Sequence, residues 1–184
     1  MLELFILGEL MSDGPAHGYL LHRILSQVLG PLRPVSWGTL YGILNQLETQ
    51  GAIVEVKSTG PSEGRPRRVY DITDVGRERF FRLMSRPLDH SPAIEDMFRI
   101  KVSKFHPIDR DQRRSILTQY QTFLELMIDG SDMNRERIEQ VEEISDDERP
   151  SLLAVLDYDR SSYQARLQWV LHAQEALSAQ GARM

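Results

Sequence analysis

The chain has no cysteine and no long hydrophobic run. Without thiols, disulfide bonds and cysteine-ligated metal are excluded. The apolar segment at residues 4–7 is short, follows Glu3 and has no cationic stretch before it, so it does not resemble a signal peptide. No other segment approaches the roughly 18 apolar residues that span a membrane. We therefore expect a cytoplasmic protein with no membrane partner.

Signatures of catalysis are also missing. The sequence contains no nucleophile motif of the G-x-S-x-G type, no phosphate-binding loop and no dinucleotide fingerprint. The histidines lack a metal-ligand spacing such as two histidines four residues apart. The acidic pairs of the second half are typical of a charged helix surface. We expect no catalytic residue, no metal and no cofactor, and therefore no enzyme.

The net charge of −5 is unusual for a protein that binds nucleic acid, but the charge is unevenly distributed. Residues 1–90 contain ten basic and ten acidic side chains, whereas residues 91–184 contain twelve basic and seventeen acidic ones. The segment 57–68 alone has four basic residues and one acidic residue. Because phosphate responds to the local field more than to the total charge, this segment is a candidate for DNA contact.

The segment 36–50 is predicted to be a helix with one apolar face and one face of small, uncharged residues, which we call the bare face. Ser36 is suited to the N-cap, and Gly51 is suited to the position just after the C-cap. Apolar residues recur at i, i+3, i+4 and i+7: Leu40, Ile43, Leu44 and Leu47. The opposite face carries Gly38, Gly42, Asn45 and Thr49. Each glycine inside a helix costs about 0.5–1 kcal/mol relative to alanine, which favours a face that must approach something large, such as a DNA groove.

A predicted β-hairpin follows this helix. Residues 53–57 and 69–72 are rich in β-branched and aromatic residues, as strands are. The loop between them, 58–68, contains two glycines, two prolines and three arginines. A helix followed by a hairpin with a basic tip is the order of a winged helix-turn-helix, in which the helix enters the major groove and the wing reaches phosphates or the minor groove.

Three motifs together resemble the PadR family of transcriptional regulators. They are GPAHGYLL at 14–21, GTLY at 38–41 and GRPRRVY at 64–70. The likeness covers residues 1 to about 86 and continues more loosely into the second half, as in the longer AphA-like members. It implies a mostly α protein, with an α+β winged helix-turn-helix domain followed by an all-α dimerisation domain. One departure is that Gly42 and Gln46 replace the usual proline and basic residue of the helix.

The candidate DNA-binding residues come from the helix, the wing and the resemblance. They are Ser36, Gly38, Thr39, Tyr41, Gly42 and Asn45 in the helix, Arg65, Arg67 and Arg68 in the wing, and Tyr19. Asn45 could make two hydrogen bonds to adenine, worth about 1–3 kcal/mol of base discrimination. The resemblance supports phosphate contacts for Thr39 and Tyr41. For Tyr19 two interpretations stay open, a DNA-backbone contact and a packed side chain. Trp37 is expected in the core, and the alternative is an anchor against Pro34.

The domain boundary is predicted in the polar stretch between two prolines, giving domains at 1–87 and 92–184. The second half has no strand pattern. One helix begins after Asp109 and is expected to end near Gly130, a second contains Ile138, and a third covers 151–177.

The last helix has an apolar heptad stripe, predicted to mediate dimerisation. Its members are Leu153, Leu156, Tyr163, Leu167, Val170 and Leu177. Arg160 and Gln174 interrupt the stripe at equivalent positions. Because it is long for so small a domain, we expect a helix of a second copy to cover it.

The sequence thus predicts a homodimeric DNA-binding transcriptional regulator that binds a palindromic operator through helix 36–50 and wing 58–68. Repression is the commoner outcome in the family, and a small aromatic effector is a candidate for its release. The alternative is a winged-helix module that binds proteins and has no specific DNA site.

Overall fold

This computed structural model describes residues 1–30, 33–56, 68–142 and 144–181. The elements are α1 (Leu2–Asp13), β1 (Ala16–His17), α2 (Gly18–Leu29), α3 (Trp37–Thr49), β2 (Ile53–Val56), β3 (Val69–Ile72), α4 (Asp74–Ser85), α5 (Ile94–Ser103), α6 (Arg110–Gln140) and α7 (Arg149–Gly181). The predicted fold class, a winged helix-turn-helix part followed by helices, is confirmed. The chain forms two compact units, Met1–Arg113 and Arg114–Met184.

In the first unit, α1 is the central helix. It contacts α2, α3, α4, α5, β1 and β3, and its apolar residues are fully buried: Leu4, Phe5, Ile6, Leu7 and Leu10. A helix that is apolar on several sides is typical of a core position. The other helices therefore each cover part of α1 with one apolar face, and α3 does so with Leu40, Leu44 and Leu47.

The sheet has three antiparallel strands in the order β1-β3-β2. In the hairpin, Ile53 pairs with Ile72 and Val56 with Val69. The two-residue strand β1 adds Ala16 opposite Tyr70 on the other edge of β3. The sequence predicted the hairpin strands but not β1, because two residues are too short for an alternating pattern.

The two ends of α3 follow local rules. The Ser36 hydroxyl accepts a hydrogen bond from the Thr39 amide (3.0 Å), as predicted for the N-cap. At the other end, Gly51 has φ +69°, its amide donates to the Glu48 carbonyl, and the Ala52 amide donates to the Leu47 carbonyl. This is the Schellman arrangement, and its left-handed residue favours glycine.

The first compact unit continues beyond the predicted boundary at 87–92, as far as Arg113. The reason is α5, which packs against α1 and α2. Asp96 of α5 pairs with Arg33 (2.7 Å), and Arg99 donates to the Leu29 carbonyl (3.2 Å). These polar contacts join segments that are far apart in the chain, so a local composition change at the prolines could not reveal them.

In the second unit, α6 is longer than expected. The predicted end at Gly130 is wrong, since α6 continues to Gln140 and includes Ile138. A Cβ atom at Gly130 would meet nothing within 4 Å, so this glycine sits in an ordinary helical position. The predicted cap of the helix is confirmed, because the Gln112 amide donates to the Asp109 carboxylate (2.7 Å).

The heptad stripe of α7 faces α6 of the same chain. At its two interruptions, Arg160 pairs with Asp132 (2.8 Å) and Gln174 donates to Gln121 (3.0 Å). Val170 and Leu177 are buried within one chain. The other members, half-buried, are Leu153, Leu156, Tyr163 and Leu167. Within one chain the stripe therefore lies beside α6 and keeps part of its surface exposed, and its role in dimerisation stays a prediction.

Candidate nucleic-acid interface

The face of α3 that points away from the core is bare and uncharged. Gly38, Gly42, Asn45 and Thr49 are all exposed. A Cβ atom added at Gly42 would meet nothing within 4 Å, and one added at Gly38 would meet only the Ser36 hydroxyl at 3.8 Å. The protein's own packing therefore requires glycine at neither position. The absence of side chains here leaves the helix backbone open to a large neighbour.

Two hydroxyl groups lie beside this face at the start of α3. Ser36 and Thr39 are exposed, and their hydroxyl oxygens share a hydrogen bond of 2.8 Å. Each hydroxyl retains further hydrogen-bonding capacity, because oxygen has two lone pairs. They are placed where the N-terminal turn of a recognition helix would meet DNA.

Four rings form what we call the aromatic cluster: Tyr19, His22, Trp37 and Tyr41. The Trp37 ring stacks on His22 (centroids 3.9 Å apart, planes 14° apart). Tyr19 and Tyr41 each lie 6.1 Å from the same ring. Trp37 is 44% exposed, so its predicted core position is wrong. The sequence prediction failed because the angle of Trp37 around the helix is close to that of buried Leu44, whereas its place in the first turn leaves it partly uncovered.

The two tyrosines of the cluster are similarly exposed, 52% for Tyr19 and 41% for Tyr41. The Tyr41 ring leans over the start of α2, where a Cβ atom on Gly18 would come within 2.9 Å of the Tyr41 hydroxyl oxygen. His17 caps α2 through Nδ1, which accepts from the Leu20 amide (3.0 Å). Both tyrosine rings thus lie at the junction of α2 and α3, on the exposed surface.

Arg68 occupies a different environment from the one predicted. Its guanidinium pairs with Glu48 of α3 (2.8 Å) and Glu55 of β2 (2.5 Å), and it lies 5.2 Å from the centroid of the Tyr70 ring. The hydrogen bonds to Glu55 and then Glu48 raise the pKa of Arg68. Two carboxylates neutralise this cation, so its geometry suits a link between the hairpin and α3 better than a free phosphate contact.

Asn45 lies next to this link. The Arg68 Nη1 atom is 3.5 Å from the Asn45 side-chain oxygen, and the Thr49 hydroxyl donates to the Asn45 carbonyl (2.8 Å). The predicted wing contacts Arg65 and Arg67 lie outside the described residues. The structure therefore brings the helix residues, Arg68 and Tyr19 to one part of the first unit, and the sequence missed the contribution of His22 to it.

Two further observations concern other functions. Within the described ranges, no cluster of three or more histidine or acidic side chains could hold a metal ion. Among the helices described, none is long and apolar enough to cross a bilayer.

Comparison with known proteins gives one match to a family model and several structural neighbours. Residues 6–82 match the sequence model of the transcriptional regulator PadR-like family, whereas no curated protein matches the chain. Bacillus subtilis PadR in complex with operator DNA is 18% identical over 96% of this chain and 98% of that one, with a TM-score of 0.45. The same protein in complex with p-coumaric acid is 19% identical (96% and 95% covered, TM-score 0.41). The PadR-like regulator BC1756 from Bacillus cereus is 22% identical (97% and 99% covered, TM-score 0.39).

Proposed function

We propose that this chain binds a specific operator in double-stranded DNA, because residues 6–82 match the sequence model of the transcriptional regulator PadR-like family. The recognition helix is α3, with Ser36, Gly38 and Gly42 at the groove and Asn45 at a base edge. Thr39 and Tyr41 contact phosphates beside it. Tyr19 contributes from α2. The wing between β2 and β3 reaches the backbone through Arg65 and Arg67.

The observation that carries this proposal is the bare face of α3. A purely solvated helix gains stability from alanine in place of glycine, by about 0.5–1 kcal/mol per position. Gly38 and Gly42 have free space for that methyl group, yet the chain has glycine at both. A close approach of the helix to DNA accounts for the choice, since a side chain there would hold the backbone away from the groove.

Arg68 has a positioning role in this proposal. Its pairs with Glu48 and Glu55 join the recognition helix to the base of the wing. Exposed pairs of this kind contribute little to stability, usually below 1 kcal/mol. Their value lies in the fixed orientation of the hairpin relative to α3, and phosphate neutralisation then rests on other cations of the wing.

We further propose that two copies bind a palindromic operator, with recognition helices about one DNA turn apart, roughly 34–36 Å. Helix α6 contacts the stripe of α7 at Arg160 and Gln174, so we assign the contact surface between the two copies to the outer face of α7. Val155, Tyr158 and Trp169 are exposed on it. Val155 and Trp169 are two heptads apart, a spacing that suits a helical partner.

A direct test is fluorescence anisotropy with DNA from upstream of the native gene, at two salt concentrations. We expect sequence-dependent, salt-sensitive binding. In the Asn45→Ala variant, the discrimination between bases should be weakened at one base pair of the operator. The Arg68→Ala variant distinguishes its two roles. A phosphate contact would reduce the log–log salt slope by about 0.9, whereas a positioning residue lowers affinity and leaves the slope unchanged.

The competing function is a protein-interaction module. It would be favoured if no DNA fragment bound at micromolar protein and low salt. Repression, release by a small aromatic effector and a cytoplasmic location remain predictions of the sequence, and footprinting with a reporter assay would test the first two.

A further inference from the structure

The largest exposed surface in the first turn of α3 is an indole ring. Trp37 is the first helical residue after the N-cap Ser36, and it is 44% exposed. Its neighbours in the turn are Gly38, which has no side chain, and Thr39, whose hydroxyl bonds to Ser36. The described first turn therefore offers one large apolar surface among small polar groups.

The ring is also held in place before any partner arrives. His22 lies against it, and the His22 Nε2 atom donates to the Val35 carbonyl (2.7 Å), which fixes the histidine plane. Tyr19 lies nearly parallel to the indole, with planes 13° apart. A side chain ordered in advance loses less conformational entropy on binding, so its contacts contribute more to affinity.

We propose that Trp37 is a specificity-determining residue that packs on the 5-methyl group of a thymine in each half-site. This inference rests on the proposed function. The N-terminal residues of a recognition helix meet base edges in the major groove. The apolar group presented there is the thymine methyl, and aromatic side chains are among those that contact it. An uncharged, preordered indole beside a bare helix face fits that group.

The test uses the full chain and a duplex selected by it from a random-sequence library. Each thymine of the duplex is replaced in turn by uracil, which removes the methyl group and leaves the base-pairing edge unchanged. We expect one thymine in each half-site at which the loss of the methyl weakens binding about fourfold, the effect of one buried methyl group. With Trp37→Ala, the thymine and uracil duplexes bind equally, as a protein–DNA mutant cycle requires.

Phe81→Ala is the matched control, because Phe81 is an exposed aromatic residue of the same unit on α4. It retains the methyl dependence of the native chain. Should Trp37→Ala fail to fold, two other measurements test the thymine contact. One is the uracil scan of the native chain, and the other is quenching of Trp37 emission by DNA in a Trp169→Phe background, where Trp37 is the remaining tryptophan. Quenching absent at the methyl-dependent duplex would contradict the proposal.

Other outcomes overturn the inference in distinguishable ways. If the duplex binds but no thymine shows methyl dependence, or the dependence persists in Trp37→Ala, Trp37 does not read thymine and the proposed function stands. If the dependence persists and Trp37→Ala also weakens the thymine and uracil duplexes by the same factor, the ring contacts sugar or backbone instead. If no duplex is selected at all, the inference fails together with the proposed function.

Discussion

The two compact units differ in how much of their apolar surface they bury. Among the described residues, 23 hydrophobic side chains are buried in Met1–Arg113, but only six in Arg114–Met184: Ile116, Leu117, Tyr120, Leu124, Val170 and Leu177. Among the described residues the second unit, although smaller, exposes as many large apolar residues as the first: Leu126, Met133, Val141, Val155, Tyr158, Trp169 and Leu171.

The smaller core indicates that the second unit needs a partner. A unit of about 70 residues with a small core is marginal without further support. The first unit has a complete core around α1 and leaves bare a helix face that its own packing does not use. We therefore expect the first unit to be stable by itself and the second to be stabilised by association. Each unit contains one of the two tryptophans, so fluorescence can follow the units separately.

The largest effect is expected from a buried ion pair of the first unit. Lys104 and Glu9 form an ion pair, and both are almost fully buried. Burial raises the pKa of Glu9, while Lys104 lowers it. Lys104→Met should reduce the free energy of unfolding by about 3–5 kcal/mol, because it leaves a buried carboxylate without its cation. Urea unfolding followed by Trp37 emission in a Trp169→Phe background measures this loss.

The double variant Glu9→Leu with Lys104→Met provides the control. It removes both charges, so most of the stability should return. A double variant as unstable as Lys104→Met alone would show that shape, and not charge pairing, accounts for the loss.

A second effect in the first unit depends on pH. Lys101 is buried and donates to the Met84 carbonyl (2.9 Å) and to the Arg86 carbonyl. Burial lowers its pKa from 10.5 to about 8. Between these values the unfolded chain holds the proton and the folded chain does not, so the free energy of unfolding should rise with pH, by up to about 3 kcal/mol.

The measurement is urea unfolding from pH 7.5 to 10.5, compared with Lys101→Met. Groups other than Lys101 titrate in both proteins, so the difference between the two curves isolates this lysine. Parallel curves over the whole range would refute the assignment.

In the second unit, removal of an outer-face side chain should weaken association. We expect Trp169→Ser to raise the dissociation constant of the proposed dimer about 30-fold, the effect of losing a buried aromatic anchor worth about 2 kcal/mol. Leu126→Ser is the matched control, since Leu126 is an exposed apolar residue of α6 and should leave association unchanged. Sedimentation equilibrium measures both, and equal effects of the two changes would place the contact elsewhere.

The smallest effect concerns the end of α3. Gly51 has φ +69°, a conformation that disfavours side chains, so Gly51→Ala should cost about 1 kcal/mol. Thermal unfolding of the first unit gives the value. An unchanged stability would mean that the Schellman turn relaxes without penalty.

The sequence was sufficient wherever a structure depends on neighbours in the chain. The N-cap Ser36 and the turn at Gly51 follow from residue type and spacing, and both are observed. The two hairpin strands are likewise confirmed, because their β-branched residues favour extended backbone locally.

Contacts between distant segments could not be predicted from the sequence. In the sequence, Arg68 belongs to a basic loop. In the structure, it lies between Glu48 and Glu55. The heptad stripe is predicted by its spacing, but a stripe does not specify its partner, and a helix that ended at Gly130 would be too short to lie along it. Trp37 shows a related failure, since periodicity gives the direction of a side chain around a helix but not the depth of its cover.

Central to the proposed function is that Gly38 and Gly42 of α3 are needed for the approach to a DNA groove and not for folding. The most direct measurement compares thermal stability and operator affinity in Gly42→Ala and Gly42→Leu, with Gly130→Ala as a control at another unobstructed helical glycine. We predict that Gly42→Ala raises stability by about 0.5–1 kcal/mol while affinity falls, that Gly42→Leu abolishes specific binding, and that Gly130→Ala gains stability alone. Full operator affinity in Gly42→Leu would contradict the account.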